Sequence, residues 1–141
     1  PTWHVFHAFK AHQGAMLLGT SFAAQSAIMH DDEQKKDLVV PGLSVSASEK
    51  AGKDGKTSYL VTVANPDVDR AKTVEISFAG LTGTIAGASG TVVNGEKMNT
   101  INTFEKGDAV TEKTLAVKVV DGQSVSIELP AHAVAAVTVT A

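Results

Sequence analysis

The chain has 141 residues, 43% of them hydrophobic and 19% charged, with a net charge of −3. That is enough for one domain with a real core, too apolar for disorder over most of its length, and without the basic excess that would hold a phosphate backbone, so nucleic-acid binding is not expected. The apolar runs are too short for a membrane-spanning helix, no signal peptide opens the chain, and cysteine is absent, which removes disulfides and thiolate metal sites.

The first stretch, Pro1–Leu18, differs from all that follows. Trp3, Phe6 and Phe9 recur every three residues, and Val5, Phe9 and His12 extend the pattern. This periodicity predicts a helix over Trp3–Gln13, with Thr2 as N-cap and Gly14 as its stop. The helix is apolar on more than one side, so it calls for a neighbour larger than a sandwich edge. A start at Pro1-Thr2-Trp3, in mid-pattern and without Met, is expected of a processed or excised piece. Ala15–Phe22 reads as a short strand with Leu17 and Leu18 buried. Ala23–Asp37 has no periodicity, and its charge run Asp31–Asp37 reads as solvated loop. Pro41-Gly42 marks a turn.

From Leu43 the pattern has period two. Leu43, Val45 and Ala47 alternate with serines, and Asp54-Gly55 reads as a hairpin turn into Thr57–Ala64. Asn65-Pro66-Asp67 ends that strand. Val74, Ile76 and Phe78 mark the next, Ile85 is the inward residue of a Gly-rich segment, and Val92-Val93 runs into Asn94-Gly95, a tight-turn signal. Leu115–Val120, a turn at Asp121-Gly122, Ser124–Leu129 and His132–Thr140 complete about eight strands. Few aromatics and many Val, Thr, Ser and Gly agree with them. The predicted class is all-β: a β-sandwich of jelly-roll or Greek-key type preceded by one N-terminal helix. The division is residues 1–18 as the helical head and 19–141 as the sandwich.

Ile101–Val110 is too polar for a core strand and too particular for a generic loop. Asn102 and Thr103 are turn formers that bond nearby backbone, and Phe104 is expected to plug the core. Glu105 is the most tempting acid in the chain. A glycosidase, however, needs two carboxylates about 5–9 Å apart, and neither Glu49, Glu75, Glu96, Glu112 nor Glu128 is placed by sequence as its partner. The preferred reading is that Glu105 accepts local hydrogen bonds. His4, His7 and His12 share the helix, but no acid follows them at ligand spacing, so packing histidines are preferred to a metal pair. His30 and His132 stand alone. There is no Gly-x-Ser-x-Gly elbow and no phosphate loop. Tyr59, Phe78 and Phe104 are too few for the usual aromatic sugar platform. No residue is assigned as catalytic, cofactor-binding or metal-ligating, and no cofactor is expected.

Pro1-Thr2-Trp3-His4-Val5-Phe6, then Lys10-Ala11-His12-Gln13 and Ala15-Met16-Leu17-Leu18, resemble the end of the catalytic barrel in α-L-arabinofuranosidases of glycoside hydrolase family 51. Asn102-Thr103-Phe104-Glu105, with Met98-Asn99 before it and Asp108-Ala109-Val110 after, resembles a stretch of the same family. So do Ser46-Ala47-Ser48, Asp54-Gly55-Lys56, Val63-Ala64-Asn65 and Leu129-Pro130-Ala131. Trp3, Thr100-Ile101 and Gly107 depart from the usual pattern, and Ala23–Asp37 has no counterpart in it.

The resemblance implies the last helix of a (β/α)8 barrel followed by the C-terminal sandwich of a retaining, metal-independent enzyme. That enzyme would remove terminal α-L-arabinofuranosyl groups from arabinan and arabinoxylan. Its catalytic glutamates would both precede this chain, which alone is expected to be inactive. The implied partners are the barrel and, through the parent enzyme, an arabinose-containing polysaccharide. The helix face at Trp3, Phe6 and Phe9 is expected to fold back on the sandwich or to pair with a second copy. The readings set against this one are an independent carbohydrate-binding module and an Ig-like structural module. The residues leave periplasmic, extracellular and cytoplasmic locations equally open.

Overall fold

The computed structural model describes residues 1–52 and 54–141, with every side chain of these except Ala27 and Met29. Among the described residues one helix, α1 (Thr2–Phe9), runs into a 3₁₀ turn (Lys10–His12), and eleven strands follow. Gly14 stops the helix in the left-handed region, at φ 70°, where a side chain would be strained. The helix starts one residue earlier than predicted. Pro1 is the N-cap, its carbonyl taking the His4 N–H at 3.0 Å, and Thr2 lies inside the helix without a capping bond.

β1 (Met16–Leu18), β4 (Ser44–Ala51), β5 (Thr57–Ala64), β7 (Gly87–Asn94), β8 (Thr111–Leu115) and β11 (Val134–Thr140) form a six-stranded antiparallel sheet in the order β1-β4-β5-β11-β7-β8. β6 (Lys72–Ser77), β9 (Val117–Asp121) and β10 (Ser124–Leu129) form a second sheet in the order β6-β10-β9. The last strand, β11, sits between β5 and β7 and antiparallel to both. Such non-sequential neighbours are the mark of Greek-key connection. The predicted all-β sandwich is present. Residues 16–18, grouped with the helical head by sequence, pair with Ala47–Glu49 of β4 and therefore lie within the large sheet.

Alternation builds the core. Ala47, Val61, Val63, Val92, Ala135, Val137 and Val139 point inward from the large sheet, against Val125, Ile127 and Leu129 of β10. Because strand side chains alternate between faces, Leu60, Thr62, Val93 and Ala136 must lie on the opposite, outer face, and they too are buried. The helix supplies that cover by resting against β7, β8 and β11.

Three further expectations fail for identifiable reasons. Leu17 is 78% exposed, because β1 is an edge strand and its register puts Leu17 opposite Ser48, on the outer face. The stretch read as solvated loop contains a hairpin of β2 (Ala27–Asp31) and β3 (Lys36–Val40). Asp31 Oδ1 accepts the N–H groups of Glu33 and Gln34 at its tip, at 3.0 Å each. Ile28 and Val39 pair and are both exposed, so no buried face imposed the period-two pattern that reveals a strand. Asn94-Gly95 ends β7 without turning directly into the next strand, which begins only at Thr111.

Candidate functional site

Residues 101–110 form a loop held by its own side chains. Asn102 Nδ2 donates to Val110 O at 2.9 Å, and Val110 N–H donates to Asn102 Oδ1 at 2.6 Å. Thr103 N–H reaches Lys106 O at 3.1 Å, and Lys106 N–H reaches Thr103 Oγ1 at 3.1 Å. Asn102 and Thr103 thus do what their residue types suggested. Phe104 does not. It is fully exposed, carried outward at the tip of the turn that Thr103 and Lys106 close, so the buried anchor of the stretch is Val110. The Glu105 carboxyl is held below the usual carboxylate range by its own backbone N–H and by the Thr103 hydroxyl, which is a turn carboxylate's environment and not a general acid's.

The helix presents two faces. His4, Val5, Ala8 and His12 are half-buried against the sheet, while Trp3 (66% exposed) and Phe6 (74%) look outward. The helix therefore does fold back on the sandwich, but not through the aromatic face that the periodicity selected. His7 Nδ1 lies 2.7 Å from Glu112 Oε1 and His4 Nδ1 lies 3.7 Å from the same oxygen. Trp3 stacks on His7, with centroids 4.9 Å apart and planes 8° apart. The acid missing from the helix sequence thus arrives from β8, a contact that spacing within the helix could not reveal. Both histidines address one carboxylate oxygen, which is thereby a shared acceptor. Among the described residues no group of three His, Asp or Glu is placed to hold a metal.

At the far end of the helix, His12 Nδ1 is 2.6 Å from Ser48 Oγ and His12 Nε2 is 3.2 Å from Thr62 Oγ1. Thr62 donates its own proton to Ser46 O. It therefore accepts from His12 Nε2–H, and Nδ1 accepts from the Ser48 hydroxyl. Burial lowers the His12 pKa, because desolvation disfavours the cation. The pair resembles an activated serine by distance alone. Ser48 is buried beneath the helix, so no substrate reaches it, and the contact is structural.

His132, read as isolated, ties loops together: Nδ1 lies 3.0 Å from Val68 O and Nε2 lies 3.2 Å from Gly95 O. His30 bonds Asp37 across the β2–β3 hairpin at 2.8 Å. Glu128 accepts from Thr73 Oγ1 at 2.7 Å. Between the sheets, an open cleft of about 1010 Å³ is walled by Val45, Val61 and Val63 on one side and by Val74, Ile76 and Phe78 on the other. Tyr59 and Phe78 contact each other there, with ring centroids 5.6 Å apart, so neither belongs to an exposed sugar platform. No nucleophile, general base and oxyanion donor converge in any of these places.

A family model described as the α-L-arabinofuranosidase C-terminal domain matches residues 1–133. The chain belongs to that family. It is 25% identical over 134 residues to an intracellular exo-α-L-arabinofuranosidase of Bacteroides ovatus, a match covering 95% of this chain and 24% of that protein. The crystal structure of a family 51 arabinofuranosidase from Xanthomonas axonopodis pv. citri superimposes with a TM-score of 0.81 at 27% identity, over 99% of this chain and 26% of that one. An α-L-arabinofuranosidase from Thermotoga maritima shares the fold, with a TM-score of 0.62 at 19% identity, over 89% of this chain and 26% of that one.

The arabinofuranosidase C-terminal domain thus spans about a quarter of the length of these relatives. The sequence motifs at Pro1–Phe6 and Asn102–Glu105 pointed to the same family. In the domain, the first motif forms the docked helix and the second forms the self-bonded loop.

Proposed function

We propose that this domain is the non-catalytic sandwich of a larger α-L-arabinofuranosidase. The parent would hydrolyse terminal α-L-arabinofuranosyl groups of arabinan and arabinoxylan, and the domain would buttress its catalytic (β/α)8 barrel. The observation that carries this reading is the outward face of α1. Trp3 and Phe6 stand exposed on a helix whose other face already rests on the sheet. Burying such side chains is worth about 1.5–3 kcal/mol each, and a barrel packed against the helix would collect that energy. In this reading α1 belongs to the barrel's outer ring, and the sandwich begins at β1 and not after residue 18. A second copy of the domain is the other occupant the face would accept.

Substitution distinguishes a covered face from a free one. Trp3→Ala with Phe6→Ala should leave the stability of this domain within about 0.5 kcal/mol, as expected for exposed positions. The same pair in the parent enzyme should lower its melting temperature by several degrees. Equal, negligible effects in both proteins would sink the proposal. The competing reading, an independent carbohydrate-binding module, is tested by affinity electrophoresis on arabinan and arabinoxylan. Retardation would support it; unshifted migration is expected here, since Tyr59 and Phe78 are turned to each other.

A further inference from the structure

The outer face of the large sheet is made mostly of small polar and apolar residues: Ser46, Ser48, Ser58, Thr62, Thr91, Ala136 and Thr138 by register. Two charged groups from that face touch the helical segment, one at each end. Glu112 lies beneath His4 and His7, and Lys50 Nζ donates to Gln13 O at 3.0 Å. The two contacts hold the segment at His4 and His7 and again at Gln13, and so fix the direction in which it lies.

We propose that the segment Thr2–His12 is a proton-gated clamp, gated where the His12 ring sits between Ser48 and Thr62 and anchored at its other end where His4 and His7 meet Glu112. At the Glu112 end the carboxylate faces both His7 and His4, with the Trp3 ring stacked on His7, so this anchor is a hydrogen bond to a carboxylate. Lys113, next to Glu112, points to the other face of β8. At the His12 end the facing groups are two hydroxyls from β4 and β5, the Phe9 ring (centroids 6.0 Å apart) and the ammonium of Lys50. No carboxylate faces His12. A proton on Nδ1 turns that nitrogen into a donor, so the Ser48 hydroxyl must switch to accepting and its own buried proton loses the acceptor it had. Falling pH therefore loosens the His12 end. The segment pivots about Glu112 and reorients the Trp3–Phe6 face. The contacts all lie within this chain, so the clamp stands or falls independently of the proposed barrel.

The test measures amide-exchange protection of Gln13 and Ala15, whose N–H groups bond Lys10 O and His12 O, between pH 8 and pH 5. The folded-state pKa of His12 lies below 6.5, so the docked end is fully stable above about pH 6.5 and weakens as the pH falls. Protection should fall by up to about tenfold per pH unit, the limit for one linked proton. In His12→Gln, whose amide can bond both hydroxyls and does not titrate, protection should be flat. Emission of Trp3, the only tryptophan, should change as the His12 end is released, and His12→Gln should remove that change. A wild type whose Gln13 and Ala15 protection ignores pH, or a His12→Gln variant with an undiminished transition, overturns the clamp. The nitrogen-15 spectrum of the His12 ring gives a check that needs no variant. An Nε2–H tautomer above the transition is required, and an Nδ1–H tautomer contradicts the mechanism.

Discussion

Asn65 is nearly sealed from water, and its side chain makes three hydrogen bonds there. Nδ2 donates to Arg70 O at 2.8 Å and to Pro130 O at 2.9 Å, and Oδ1 accepts from Asp67 N–H at 3.1 Å. Truncation to Ala removes three hydrogen bonds from a buried side chain, so Asn65→Ala should cost about 1–3 kcal/mol, read from urea denaturation. Asn102→Ala, which loses both Val110 bonds, should cost about 1–3 kcal/mol in the same measurement. Asp67 adds a pH dependence. Its carboxyl is held below its ordinary value, first by the Asp69 N–H, then by the Arg70 N–H and the charges of Arg70 and Lys72, against an opposing desolvation. Its folded pKa is depressed below 3.8, so the stabilisation is complete above about pH 3.8 and is lost as the pH falls through the folded value. Asp67→Asn should flatten that part of the acid-unfolding profile. What sequence could show at this scale was which residues turn the chain. It could not show which residue of a turn faces the core, because Phe104 and Val110 are both apolar and only tertiary placement separates them.

Among the elements, strands with one buried face were legible, and those without one were not. β5, β10 and β11 each have a core to face, whereas β2 and β3 pair Ile28 with Val39 in the open and carry no legible period. The helix was legible as a helix but not in its orientation. Its docked face, His4, Val5, Ala8 and His12, is less hydrophobic than the aromatic face left outside. A periodicity argument picks the more apolar stripe, and here that stripe is the one the domain leaves uncovered. The connection between β1 and β4 is also tightly fixed. A Cβ at Gly42 would stand 2.1 Å from Gln25 O and 2.9 Å from the Ala24 Cβ. Since backbone must yield to such a clash, Gly42→Ala should destabilise by about 1–3 kcal/mol and shift the 19–26 segment that walls the cleft. Amide exchange in residues 20–26 would show that displacement.

At the scale of the whole molecule, the sandwich follows from composition and alternation, while its function does not. Among the described residues, the three arrangements that resemble sites all have a structural account. Ser48 is buried behind the half-buried His12 ring, Glu105 is a turn carboxylate, and the two histidines beside Glu112 share one oxygen. Motifs spread along the whole chain named the family where no single residue could, because each preserves a local structural task and none a chemical one. The proposed division of labour, with scaffold here and chemistry elsewhere, is tested most directly by the initial rate at which the purified 141-residue protein releases nitrophenol from 4-nitrophenyl α-L-arabinofuranoside. The expected rate is that of buffer alone. Saturable turnover that scales with protein concentration would contradict the assignment of this domain as non-catalytic.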